Sequence, residues 1–240
     1  MLSRPRPDRR SHNVKQLLTG LLGVVLLAFS LGACGEPKTV AQGQEVVQKA
    51  IERLEEAKGF RFDAIVTLTG GPRPAEAKIQ GEVVSLGDEG VPDVYAVLVN
   101  AGQRVELLRR SGRIWVMAAD GPWKAVATVP EQLENVATLG PASVLKKLGN
   151  LSAKKIDRGW LVSGTSSPQV VGIRGAGGRV KVLVRLDSQF GLQEFKVPLV
   201  SVRPEGQPAK LQLEATTKFS DLGAELNLPA PPPVPDELLR

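Results

Sequence analysis

Histidine and cysteine are almost missing from this chain of 240 residues: there is one of each, His12 and Cys34, both close to the N-terminus. From Gly35 onward no imidazole is available for a catalytic triad, and no His- or Cys-based zinc site can be built. An intrachain disulfide is impossible. Aromatic residues are scarce at 4%, with a single tyrosine, Tyr95. Covalent chemistry would have to come from carboxylates, Lys, Ser, Thr and Tyr95 gathered from distant segments, so no enzyme, no metal and no cofactor are expected. A surplus of one charge is lacking as well. The formal charge is +6, but Arg4, Arg6, Arg9, Arg10 and Lys15 against Asp8 supply most of it. The nearly balanced remainder is a poor partner for nucleic acid, which rewards clustered Lys and Arg through counterion release.

Long hydrophobic runs are also absent. The stretch from Leu17 to Phe29 falls short of the ~20 apolar residues of a spanning helix and fits the apolar region of a secretory leader behind its basic start. Leu31-Gly32-Ala33-Cys34 follows. This resembles the bacterial lipobox, in which small residues let the peptide lie extended for cleavage and the Cys thiolate becomes a thioether to diacylglycerol. Residues 1–33 therefore read as a lipoprotein signal peptide. Cys34 is the expected site of S-diacylglycerol and N-acyl lipidation, with Leu31, Gly32 and Ala33 as the recognition residues. Several acyl chains anchor stably where one would not, so the protein is expected on the extracytoplasmic face of the bacterial cell membrane.

A polar tether over 34–42 precedes the first periodic segment. Val47, Ile51 and Leu54, widened by Val46 and Ala50, form an apolar stripe that predicts a helix over about 41–58, stopped at Gly59. From Phe60 the period changes to two. Strands are expected at about 60–69, 76–86, 93–100, 103–110 and 113–118, separated by short breaks, with Trp123 closing this part. Two short helices opened by Pro130 and Pro141 follow. Further strands are expected at about 151–157, 159–165, 169–174, 179–187, 192–202 and 208–219. Breaks this short favour antiparallel pairing, because parallel strands need long crossovers. The expectation is an α+β domain over 43–228: one large curved antiparallel sheet of about ten strands with helices on its concave side. Residues 229–240 are Pro-rich and unsuited to a sheet.

Gly172 to Gly178 is the nearest approach to a phosphate loop, but it joins two strands and lacks the following Lys-Ser/Thr, so a turn is the better reading. More telling is the continuous apolar character of 94–99, 114–117 and much of 180–186. A strand with one wet face should alternate. Either a second layer covers these strands, or sheet and helices enclose more apolar volume than their side chains fill.

Several segments, in the same order, resemble the LppX/LprAFG lipoproteins of actinobacteria, which share the half-barrel fold of the LolA and LolB lipoprotein carriers. They are the lipobox, the amphipathic helix, Trp160-Leu161-Val162-Ser163-Gly164, Leu186 to Leu192 (LDSQFGL), and Phe219-Ser220-Asp221-Leu222-Gly223 before Leu228-Pro229-Ala230. Phe195-Lys196-Val197-Pro198 departs from the family pattern. The resemblance implies a half-barrel whose concave side and helices hold the acyl chains of a lipid or glycolipid. The expected function is thus a membrane-anchored lipid carrier, monomeric, with an acylated lipid or glycolipid ligand and an envelope transporter as partner. The alternative is a structural or interaction lipoprotein with a filled core. Candidate cavity residues are Val97, Val99, Val116 and Leu183 on the strands, and Ile51, Leu54, Val136 and Leu145 on the helices.

Overall fold

The computed structural model describes residues 36–71, 74–84, 92–119, 121–127, 140–203 and 210–233, with side chains from Gln42 onward. The lipobox Leu31 to Ala33, Cys34 and Val136 lie outside the described residues. The chain divides into two units, Met1–Thr39 and Val40–Arg240, and the whole sheet belongs to the second.

Helix α1 runs over Glu36–Glu55, beginning earlier and ending earlier than its stripe predicts. Most of the stretch expected as a tether is therefore helical; Glu36, Lys38, Ala41 and Gln42 are good helix formers, and Pro37 is tolerated in a first turn. The predicted stripe is the buried face: Val46, Val47, Ala50, Ile51 and Leu54 all enter the core. The opposite face is polar and laced by Lys49–Glu45 at 2.7 Å and Gln48–Glu52 at 3.0 Å. Among the described residues, no helix is long and apolar enough to cross a membrane.

Eleven strands form one antiparallel sheet. The first six are β1 (Gly59–Thr69), β2 (Ala75–Val84), β3 (Asp93–Asn100), β4 (Gln103–Arg110), β5 (Arg113–Ala118) and β6 (Lys124–Val126). Helix α2 (Pro141–Lys146) then leads to β7 (Gly149–Ile156), β8 (Gly159–Ser166), β9 (Val180–Leu186), β10 (Leu192–Val202) and β11 (Leu211–Ser220). The order is β6-β5-β4-β3-β2-β1-β11-β10-β9-β8-β7, two meanders joined where β1 meets β11. The sheet does not close, and with its helices it forms a curved half-barrel. Sequence patterning missed β6, which is only three residues long. The strand expected at 169–174 is instead a 3-10 helix, Pro168–Val171, ended by a left-handed Gly172. Pro168 has no N–H to give a ladder, which disfavours a central strand there.

The side chains of Phe60, Phe62, Ala64 and Val66 set the inner face. Register carries that face across the sheet through Phe62↔Gly81, Gly81↔Ala96, Ala96↔Leu107 and Leu107↔Val116 on one side. On the other it runs through Phe62↔Phe219 and on to Val197, Val184 and Val162. Gly81 has a specific reason to be glycine: a Cβ there would lie 2.5 Å from Cζ of Phe62, whose ring lies against β2. Helices α1 and α2 cover the β7–β10 half of the inner face.

Two turns give the family-like motifs a structural role. Oδ1 of Asp187 accepts hydrogen bonds from the backbone N–H groups of Gln189 and Gly191, both at 2.8 Å, closing the β9–β10 turn. After β11, Asp221 accepts from Nη1 of Arg61 at 3.0 Å and Gly223 donates its N–H to the carbonyl of Gly59 at 2.8 Å. The chain then passes over the outer face, with Ala224, Leu226 and Leu228 half-buried in alternation, and Arg110 donates to the carbonyl of Pro229 at 3.1 Å.

Candidate functional site

Buried side chains of the inner face fall into two clusters. One joins α1 and α2 to β7–β10; the other comprises Phe60, Phe62, Val83, Val94, Ala96, Leu98 and Leu107. Between them lies a cavity of about 290 Å³. That is about twice the ~150 Å³ in which an apolar cavity takes up a benzene-sized molecule.

Each wall follows from the pleat. β1 contributes Phe60, Phe62, Ala64 and Val66 at every second position, β2 contributes Ile79 and Val83, and β3 contributes Val94. From the other meander come Ala215, Thr217 and Phe219 of β11, Phe195 and Val197 of β10, and Val182 of β9. Gly140, Pro141 and Val144 at the start of α2, with Val170 to Gly172, complete the lining. Four of the chain's six phenylalanines are therefore in one wall. They pack edge to face, Phe60–Phe219 at 5.8 Å and Phe195–Phe219 at 5.4 Å between ring centroids, the arrangement that the ring quadrupole favours.

Among the described residues, the wall contains no ionisable side chain, and its one polar side chain is the Thr217 hydroxyl. Such a lining can solvate hydrocarbon. Among the described residues, no group of His, Cys, Asp and Glu is placed to hold a metal. A polar constellation lies on the outer face. There Glu106, 8% exposed, accepts from the Tyr95 hydroxyl at 2.6 Å and from Nε of Arg104 at 2.9 Å. Burial, reinforced by the Glu106 carboxylate, holds the Tyr95 hydroxyl above its ordinary pKa. A guanidinium, Arg109, is also buried beside the cavity and donates two hydrogen bonds to the carbonyl of Pro92.

The residues expected in the wall are placed as follows. Ile51, Leu54 and Leu145 are buried in the helix-side cluster, outside the lining; Leu145 sits next to Val144, which is in it. Val116 is on the inner face, opposite Leu107, but not in the wall. Val97, Val99 and Leu183 are corrected: all three are on the outer face. Val97 is opposite Glu106, Val99 opposite Arg104 and 39% exposed, and Leu183 opposite Ser163 and Lys196. The wall residues are instead Val94 and Val182. Where both faces of a strand are apolar, a one-residue change of register exchanges the faces, and the residues alone do not choose. Sequence reading also passed over the phenylalanine wall, although the alternation of Phe60, Phe62, Ala64 and Val66 is plain.

No family model matches the sequence, and neither does any curated protein. Solved structures do. LprF from Mycobacterium bovis matches with a TM-score of 0.53 at 15% identity, over 80% of this chain and 98% of that one. A LolA superfamily protein from Nitrosomonas europaea matches with a TM-score of 0.30 at 13% identity, over 82% of this chain and 97% of that one. The chain thus has the half-barrel fold of LprF, the fold that the resemblance implied.

Proposed function

We propose that the protein is a lipid-anchored carrier at the extracytoplasmic face of the membrane, sheltering the acyl chain of a lipid or glycolipid between its two core clusters. The observation that carries this reading is the cavity of about 290 Å³ whose wall, among the described residues, has a single polar side chain. Transfer of each methylene from water into such a lining is worth about 0.8 kcal/mol, so uptake of a chain needs no covalent step. The lipobox residues Leu31 to Cys34 supply the anchor, and LprF is similar in fold. The test is native mass spectrometry of protein extracted from its membrane. Acylated adducts that survive desolvation are expected. Apo protein from every preparation, together with failure to take up added lipid, would refute the carrier and favour a half-barrel filled by its own side chains.

A further inference from the structure

We propose that Arg109 receives the head of the bound lipid, and that the ligand of this cavity is an acyl chain with an anionic head, a carboxylate or a phosphate. This rests on the carrier reading and names the ligand class within it. Arg109 belongs to the inner face of β4, directly opposite Val94 of the wall. The residue is 6% exposed. Its Nε and Nη2 both donate to one acceptor, the carbonyl of Pro92, at 2.9 and 2.7 Å, and Pro92 is itself in the wall. A guanidinium offers five N–H donors in a planar fork that fits carboxylate or phosphate; those not directed at Pro92 have no partner among the described residues.

No carboxylate among the described residues forms an ion pair with Arg109. The neighbouring acid, Asp93, is committed elsewhere: its Oδ1 accepts the N–H of Ser111 at 2.8 Å and its Oδ2 lies 4.0 Å from Nε of Arg110. Burial pulls the Arg109 pKa below the ordinary guanidinium value, and the more distant charge of Asp93 offsets that only in part. Other arginines of the sheet are treated differently. Arg61 pairs with Glu82 and Asp221, and Arg104 with Glu106, all on the outer face. Among the described residues, the inner face thus keeps one buried cation without a counter-ion, next to the wall residues Val94 and Pro92. Burying a charge unpaired is costly. A ligand whose hydrocarbon fills the cavity and whose head brings a negative charge to Arg109 relieves that cost, whereas a neutral head does not.

The test offers the full chain, stripped of bound lipid, three probes with the same saturated chain: palmitate, hexadecyl phosphate and 1-hexadecanol. Calorimetric titration at neutral pH is expected to show both anions binding about ten-fold or more tighter than the alcohol, as a charge-assisted hydrogen bond implies. A preference for the phosphate would identify a phospholipid-type head, and a preference for palmitate a fatty acid. Arg109→Gln is expected to bring the three affinities within about two-fold of one another, and Arg109→Lys to keep part of the difference. Equal affinities of all three probes for the wild type would overturn the proposal while leaving the carrier intact. Binding of none would overturn the carrier reading itself. The comparison within the wild type decides even if Arg109→Gln folds poorly.

Discussion

Filling the cavity from its own wall is the sharpest test of whether the space exists for a ligand. Ala64 projects into it from β1, between Ile79 and Thr217 on the neighbouring strands. Ala64→Phe adds a ring of about benzene size, which occupies about half of the 290 Å³ if ~150 Å³ is needed for such a molecule. Fully burying a phenylalanine side chain is worth about 1.5–3 kcal/mol, and fixing its rotamer returns about 1 kcal/mol. The variant should melt at or slightly above the wild-type temperature. A ring that displaces four methylenes of a bound chain removes about 3 kcal/mol of transfer energy, close to a hundred-fold in affinity. The control is Ala96→Phe on the same face. Ala96 is 0% exposed, outside the cavity wall and flanked by Gly81 and Leu107. There the ring has nowhere to go, and overpacking costs about 1–3 kcal/mol, a fall of roughly 2–12 °C for a domain of this size. Calorimetric melting and lipid content are measured on both. Equal destabilisation by the two substitutions would refute the reasoning, because Ala64 would then face packed atoms.

Three further outcomes are expected. Gly81→Ala should cost about 1–3 kcal/mol or more in urea unfolding, since its Cβ would sit 2.5 Å from the Phe62 ring and 2.7 Å from the Tyr95 carbonyl oxygen; wild-type stability would mean that Phe62 is free to move aside. Tyr95 has its pKa raised in the folded state, so the unfolded chain loses this proton first: the stabilisation is complete below the unfolded value of about 10 and is lost as pH rises through the folded one. Urea melts at neutral and strongly alkaline pH should therefore show a steeper alkaline loss in the wild type than in Tyr95→Phe, and parallel curves would contradict it. Cys34→Ala should abolish metabolic labelling by a fatty-acid analogue, and equal labelling of both proteins would end the lipoprotein reading.

Local features of this chain were legible because local chemistry decides them. The apolar stripe of α1 needs only helical spacing, and short Gly-containing breaks force neighbouring strands to run antiparallel. Choices between near-equal local alternatives were not legible. Val97 and Leu183 lie on strands that are apolar on both faces, so only pairing with Glu106, Ser163 and Lys196 settles which way they point. Pro168 turns an apolar run into a 3-10 helix, and β6 is too short to show a period.

The site itself is a product of long-range pairing. Phe60 and Phe62 open the sheet and Phe195 and Phe219 close it, and nothing in either segment announces the other. They meet because β1 accepts β11 as its second neighbour, with Phe62 opposite Phe219. In sequence Arg109 is only one of two adjacent basic residues, with Arg110, in the strand expected at 103–110. Its burial, its commitment to the carbonyl of Pro92 and the pairing of Asp93 with other groups arise only when the sheet is assembled. The amino-acid pattern by itself determined that the chain would form a large antiparallel sheet with few helices. Tertiary structure alone decided which apolar side chains face one another across a space, because that depends on register between residues far apart in the chain, and register is set by the whole sheet rather than by any one strand.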